Sequence, residues 1–164
     1  MKITAQEEYG LRCLLQLAQA TDVEKVLTVK EIGLREGLSP AYVEKLLRLL
    51  SRAGLIRSVR GVKGGYLLKR NSGDVRLAEV IRALGKVPST GEICQRYTGN
   101  QSRCVHIDNC CIRSAWATLT QMLENFFETT LLADLVGGRE ATVRKTLGNR
   151  NPIQTRFPLT RGTS

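Results

Sequence analysis

The chain has 164 residues, with 25 Lys and Arg against 15 Asp and Glu, for a formal charge of +10 at neutral pH. That length supports one compact domain with an appendage, and the charge favours an anionic partner. No run reaches the roughly 20 apolar residues needed to cross a bilayer, and the opening Met1-Lys2-Ile3-Thr4-Ala5-Gln6-Glu7-Glu8 lacks the apolar core of an export signal. A cytoplasmic protein with reduced thiols is therefore expected, and five cysteines, an odd number, suit a disulfide framework poorly.

Where the charge sits decides more than its sum. Between Thr28 and Arg70 ten Lys/Arg face three Glu, and from Gly137 to Ser164 six face one, so the remainder is close to neutral.

Tyr9, Leu11, Cys13, Leu14, Leu15, Leu17 and Ala18 form a broad apolar stripe that predicts a helix over about 5–20. Thr28 with Glu31 three residues on is a capping box opening a helix over 29–36, which Gly37 ends. Ser39 is a second N-cap with Pro40 at the first helical position. The helix that follows, to Arg52, turns Val43, Leu46, Leu47 and Leu50 inward and stops at Gly54. Two short helices joined by a tight Gly-containing turn are the sequence image of helix-turn-helix, whose second helix enters the major groove.

Leu55 to Val59 alternates as a strand, and Tyr66-Leu67-Leu68 reads as its returning partner. The tip between them, Arg60-Gly61-Val62-Lys63-Gly64-Gly65, is basic and glycine-rich. Directly after a helix-turn-helix it reads as a wing, its glycines permitting close backbone approach and its cations facing phosphate or a narrow minor groove. A further helix is predicted over 75–84, ended by Gly85 and Pro88.

Four of the five cysteines then fall in one 18-residue window, Cys94 to Cys111, among Gly, Asn, Ser and Arg residues that make a poor apolar core. Thiolates held close together on a loop suit a soft metal centre such as zinc or an iron–sulfur cluster. After it Ile112, Ala115, Trp116, Leu119, Met122, Leu123, Phe126 and Phe127 recur at three- and four-residue spacing, predicting a long amphipathic helix. So heavy an apolar load means that the helix either caps the core or packs against the same helix of a second copy. The second is preferred because operator-binding winged helices bind as twofold dimers. Leu131 to Val136 is a short apolar element, and the chain from 137 reads as a basic, disordered tail.

These blocks resemble the IscR, NsrR and RirA group of bacterial winged-helix transcription regulators from Met1 to about Val136. The resemblance rests on Met-Lys-Ile-Thr at the start, Gly-Leu-Ser-Pro-Ala-Tyr-Val-Glu-Lys-Leu (37–46), Gly-Leu-Ile-Arg-Ser-Val-Arg-Gly-Val-Lys-Gly-Gly-Tyr-Leu-Leu (54–68), and the cysteine loop before Ala115-Trp116. It implies a mainly α fold: a winged helix-turn-helix (1–90), a cluster-binding loop (91–111), a dimerisation helix (112–136) and a tail (137–164). It further implies a homodimer on a palindromic operator in double-stranded DNA, with three cysteine ligands that by position are Cys94, Cys104 and Cys110. The spacer between the first two is longer than is common in the group, and Cys111 is an additional thiol able to exchange with Cys110.

The fourth ligand separates branches of the group. Arg113 stands where the IscR-like branch has a histidine completing a 2Fe–2S site, while Glu8 matches the acidic residue that completes a 4Fe–4S site across the dimer in NsrR-like members. His106, the chain's one histidine, is a further candidate. The expectation is a cluster-dependent regulator, 4Fe–4S preferred and 2Fe–2S the alternative, sensing iron, redox state or nitric oxide. DNA contact is expected from Ser39, Pro40, Ala41, Tyr42 and Lys45 on the recognition helix and from Arg60, Val62, Lys63, Gly64 and Gly65 on the wing. The rival readings are a structural zinc site of three cysteines and His106, and an enzyme or electron carrier, which the lack of any nucleophile–base pair or phosphate loop argues against.

Overall fold

The computed structural model of the chain describes residues 3–20, 26–61, 64–86 and 90–136. Among them no helix is long and apolar enough to cross a membrane. The first three helices begin where side chains satisfy their free backbone donors. Thr4 opens α1 (Ala5–Gln19), its hydroxyl accepting from the Glu7 amide at 3.3 Å while its own amide donates to Glu7 Oε2 at 2.7 Å. Thr28 and Glu31 repeat this reciprocal cap at α2 (Val29–Glu36), and Ser39 caps α3 (Pro40–Arg52) through the Tyr42 amide at 3.4 Å.

Strands β1 (Ile56–Val59) and β2 (Gly65–Leu68) pair antiparallel, Ile56 opposite Leu68 and Val59 opposite Gly65. A 3₁₀ turn (Ser72–Asp74) leads to α4 (Leu77–Leu84); then come α5 (Thr90–Arg96), α6 (Arg113–Thr129) and the single turn α7 (Leu132–Leu135). The core gathers Cys13, Leu14 and Leu17 of α1, Ile32 of α2, Val43, Leu46, Leu47 and Leu50 of α3, Val80 and Leu84 of α4, and Leu132. The inward set expected of the helix-turn-helix is thus the buried set.

Four features depart from the sequence expectation. Leu27 exchanges both backbone hydrogen bonds with Tyr66, at 3.0 and 2.8 Å, adding a third, one-residue strand to the wing. Val75 is extended rather than helical because Leu132 N donates to its carbonyl, and Leu77 N donates to Thr130 O, both at 2.8 Å. That bridge clamps the end of α6 to the start of α4. Cys94 stands on a helix, α5, rather than in open loop. In α6 the apolar residues divide: Phe126 and Phe127 pack on the core, whereas Ile112, just before it, and Trp116, Leu119 and Met122 within it are 55, 40, 43 and 63% exposed. The expected tail (137–164) and the wing residues Val62 and Lys63 lie outside the described residues.

The wing glycines have a role inside the fold. A Cβ on Gly65 would lie 2.5 Å from Leu27 O, and one on Gly64 would lie 2.6 Å from Val59 O. The close approaches that need glycine here include ones to the chain's own backbone. Gly65→Ala should push the Leu27 segment off β2 and lower stability by about 1–3 kcal/mol; an unchanged urea midpoint would show that the segment gives way freely.

Candidate DNA interface and thiol site

Helix α3 presents its N-terminal end to solvent. Ser39, Pro40, Ala41 and Lys45 are exposed, while Tyr42 is half-buried against the core. Tyr42 meets Tyr9 of α1 edge-on, centroids 6.1 Å apart at 81°, and carries the Lys45 ammonium 6.0 Å from its ring centre. The wing lies next in the chain, with Arg60 exposed, Gly61 at φ 114° and the Gly64 amide bonded to Gly61 O at 2.8 Å.

Exposed cations on and beside these elements divide into paired and unpaired ones. Arg48, Arg70, Arg76 and Arg82 have carboxylate partners, Arg82 in a very close contact with Glu128. Among the described residues Lys45, Arg52, Arg57, Arg60 and Lys69 are exposed and make no ion pair. Cations left without internal counter-charge are available to phosphates.

The thiol region is built differently. All five cysteines are free, with Cys13 buried, Cys94, Cys104 and Cys110 half-buried and Cys111 exposed. Three half-buried free thiols within one short stretch form a donor set whose chemistry fits a soft metal centre. Among the described residues no three Cys, His, Asp or Glu side chains converge to hold a metal, so this form of the chain does not bring Cys94, Cys104 and Cys110 together. His106 is exposed.

One arginine touches this region, and a second holds the candidate carboxylate on α1. Arg113, first residue of α6, reaches back so that its guanidinium donates to Ile107 O, and its amide donates to Cys110 O at 3.4 Å. On α1 the Arg12 guanidinium grips Glu8 Oε1 at 2.7–2.8 Å, which holds Arg12 above its ordinary pKa. The i, i+4 spacing of Glu8 and Arg12 was a readable signal for that pair. The backward reach of Arg113 had no signal in sequence.

A helix-turn-helix followed by a β-hairpin wing, with unpaired cations on both, defines a winged-helix DNA-binding regulator. Comparison with known proteins makes the class specific. The family model of Rrf2, iron-dependent transcriptional regulators, matches residues 3–138. The protein Rrf2 of Nitratidesulfovibrio vulgaris (strain Hildenborough) is 32% identical over 136 residues, 83% of this chain and 87% of its own. The HTH-type transcriptional regulator IscR of Klebsiella pneumoniae is 31% identical over 140 residues, 85% of this chain and 82% of the relative. Among solved structures, IscR of T. potens superposes with TM-score 0.66 at 29% identity, over 85% of this chain and 89% of that one. CymR, the global cysteine regulator of B. subtilis, gives 0.67 at 28% identity, over 83 and 96%. The chain belongs to the Rrf2 family: it is a DNA-binding transcription regulator of winged-helix fold, and not an enzyme.

Burial pushes the Cys13 thiol up to about 11, with Glu36 nearby acting in the same direction. At pH 8 its thiolate is scarce and enclosed. In metal-free folded protein, iodoacetamide at that pH should alkylate Cys94, Cys104, Cys110 and Cys111 and leave Cys13 until denaturant is added. Peptide mass mapping that finds Cys13 modified at the loop's rate would contradict its place in the core.

Proposed function

We propose that the chain is a homodimeric, cytoplasmic regulator whose DNA affinity is set by an iron–sulfur centre on its thiol loop. The observation that carries the reading is the set of three half-buried, unbonded thiols, Cys94, Cys104 and Cys110, ahead of a long helix on which Trp116, Leu119 and Met122 are exposed, as is Ile112 just before it. Relatives that are IscR proteins support it; a structural neighbour that is a cysteine regulator shows that the fold alone does not select the signal. Those three cysteines would hold the centre, with Glu8 of the partner subunit as fourth ligand and Cys111 or His106 as substitutes. When bound, the group supplies ligand bonds that iron supply, oxidants or nitric oxide can break.

The chain's own residues do the rest. Ser39, Pro40, Ala41, Tyr42 and Lys45 enter the major groove, and the wing residues Arg60, Val62, Lys63, Gly64 and Gly65 follow the backbone. Two copies joined along α6 present two such heads to a palindromic operator. Arg113 ties the loop's Ile107 carbonyl to the head of α6, so a change of loop shape reaches the dimer axis and the spacing of the heads. Affinity changes of about 5–150-fold need only about 1–3 kcal/mol of such coupling.

Protein purified without oxygen should be brown, with broad visible absorption and about four iron and four sulfide per chain, and Cys104→Ser should be colourless. Two iron per chain would select the 2Fe–2S form, whereas colourless protein carrying zinc, or no metal, would sink the sensing mechanism. A second test addresses assembly: Leu119→Glu places a charge in the proposed interface and should convert a dimer into a monomer by light scattering. Wild-type protein that is already monomeric at micromolar concentration would refute the dimer.

A further inference from the structure

Five side chains run without a break from the candidate fourth ligand to the DNA-facing surface. Glu8 binds Arg12 at 2.7 Å. The Arg12 guanidinium sits 5.7 Å from the centre of the Tyr9 ring, the Tyr9 ring meets the Tyr42 ring edge-on at 6.1 Å, and the Lys45 ammonium lies 6.0 Å from the Tyr42 centre. Helical spacing makes this geometry hold: 8, 9 and 12 share one side of α1, and 42 and 45 share one side of α3. Both tyrosines pack against the buried core, so neither ring is a loose surface group. Among the described residues Lys45 has no ion pair, which leaves the Tyr42 ring face to restrict its ammonium.

We infer that Arg12 and Tyr9 are positioning residues for DNA binding: they orient Tyr42 and, through it, Lys45, and Glu8 sets how Arg12 is held. A cation over an aromatic face is attracted by the ring's quadrupole, and an edge-on neighbour fixes the angle of that ring. Glu8 Oε1 accepts from both Nε and Nη2 of Arg12, so a carboxylate that turns toward another cation releases the guanidinium. The part of this inference that concerns DNA needs only the winged-helix fold. Its link to the thiol loop rests on Glu8 being a ligand, as proposed above.

The test uses the full chain, freed of metal with a chelator, and a fluorescent mixed-sequence duplex of about 30 base pairs, long enough for two half-sites a turn apart. Lys45→Ala should weaken binding and lower the salt slope by about one. Tyr9→Leu should weaken binding about two- to five-fold in the wild-type background and have no effect in the Lys45→Ala background. Tyr9→Phe, which keeps the ring, should restore the coupling. A Tyr9 residue that merely fills space would give equal losses in both backgrounds, and that result, or no loss in either, overturns the inference. Should Tyr9→Leu fail to fold by circular dichroism, Arg12→Gln enters the same double-mutant cycle with the rings intact. Glu8→Gln in the metal-free protein should also shift affinity, and only while Lys45 is present; no shift overturns the Glu8 end of the relay. Since no metal is present in any arm, a failed relay stays distinct from a failed cluster reading, which the iron assay decides.

Discussion

Everything in this fold depends on how α1 is packed. It contributes Cys13, Leu14 and Leu17 to the core and lies against α3 and α4, so the recognition helix rests on it directly. The approach to α4 is tight: a Cβ on Gly10 would come within 2.4 Å of Leu84 Cδ2, so no larger residue allows that helix spacing without moving the leucine. At the edge of the core face α1 carries Tyr9, and beyond it Glu8 and Arg12. One helix thus underlies the helix-turn-helix and carries the carboxylate proposed above as a ligand. Small displacements of α1 cannot be absorbed locally, because a close-packed interior transmits strain.

The second half of the molecule is attached by contrasting means at its two ends. At the C-terminal end of α6, Phe126 and Phe127 pack on the core, Glu128 pairs with Arg76 and Arg82, and the Val75–Leu77 segment bonds to Thr130–Leu132. The N-terminal end leaves Ile112, Trp116, Leu119 and Met122 in solvent. A helix clamped at one end and apolar but uncovered at the other suits transmission between the thiol loop and the winged head. The clamp makes any reorientation of α6 felt at α4, and α4 touches both α1 and α3.

Much of this was legible in sequence, for identifiable reasons. Capping at Thr28 and Ser39-Pro40, the inward set Val43, Leu46, Leu47 and Leu50, and the turn-rich wing tip are local patterns, and local patterns survive folding when tertiary packing agrees with them. What sequence did not reveal required a partner distant in the chain. Val75 is extended because Leu132 claims its carbonyl, and Leu27 is a strand residue because Tyr66 lies opposite it; neither segment has a period of its own. Helix α5 is too short for a periodic signal, so Cys94 read as loop. The Tyr9–Tyr42 contact links residues 33 positions apart. Glycines 64 and 65 were read as approaching DNA, and their tight contacts prove to include the chain's own Val59 and Leu27.

The thiol loop stands apart from the core in its energetics. Tyr97, Val105 and Ile112 are exposed, so apolar burial contributes little to its shape. Its Arg103–Asp108 pair, at 3.5 Å between largely exposed side chains, is of the kind that contributes about 0–1 kcal/mol. For a segment so weakly held, the free energy of any ligand bound to its thiols would also be folding free energy. Against that weakness Arg113 stands out: its guanidinium donates to Ile107 O from the first residue of α6, the helix whose exposed face the proposed dimer would cover.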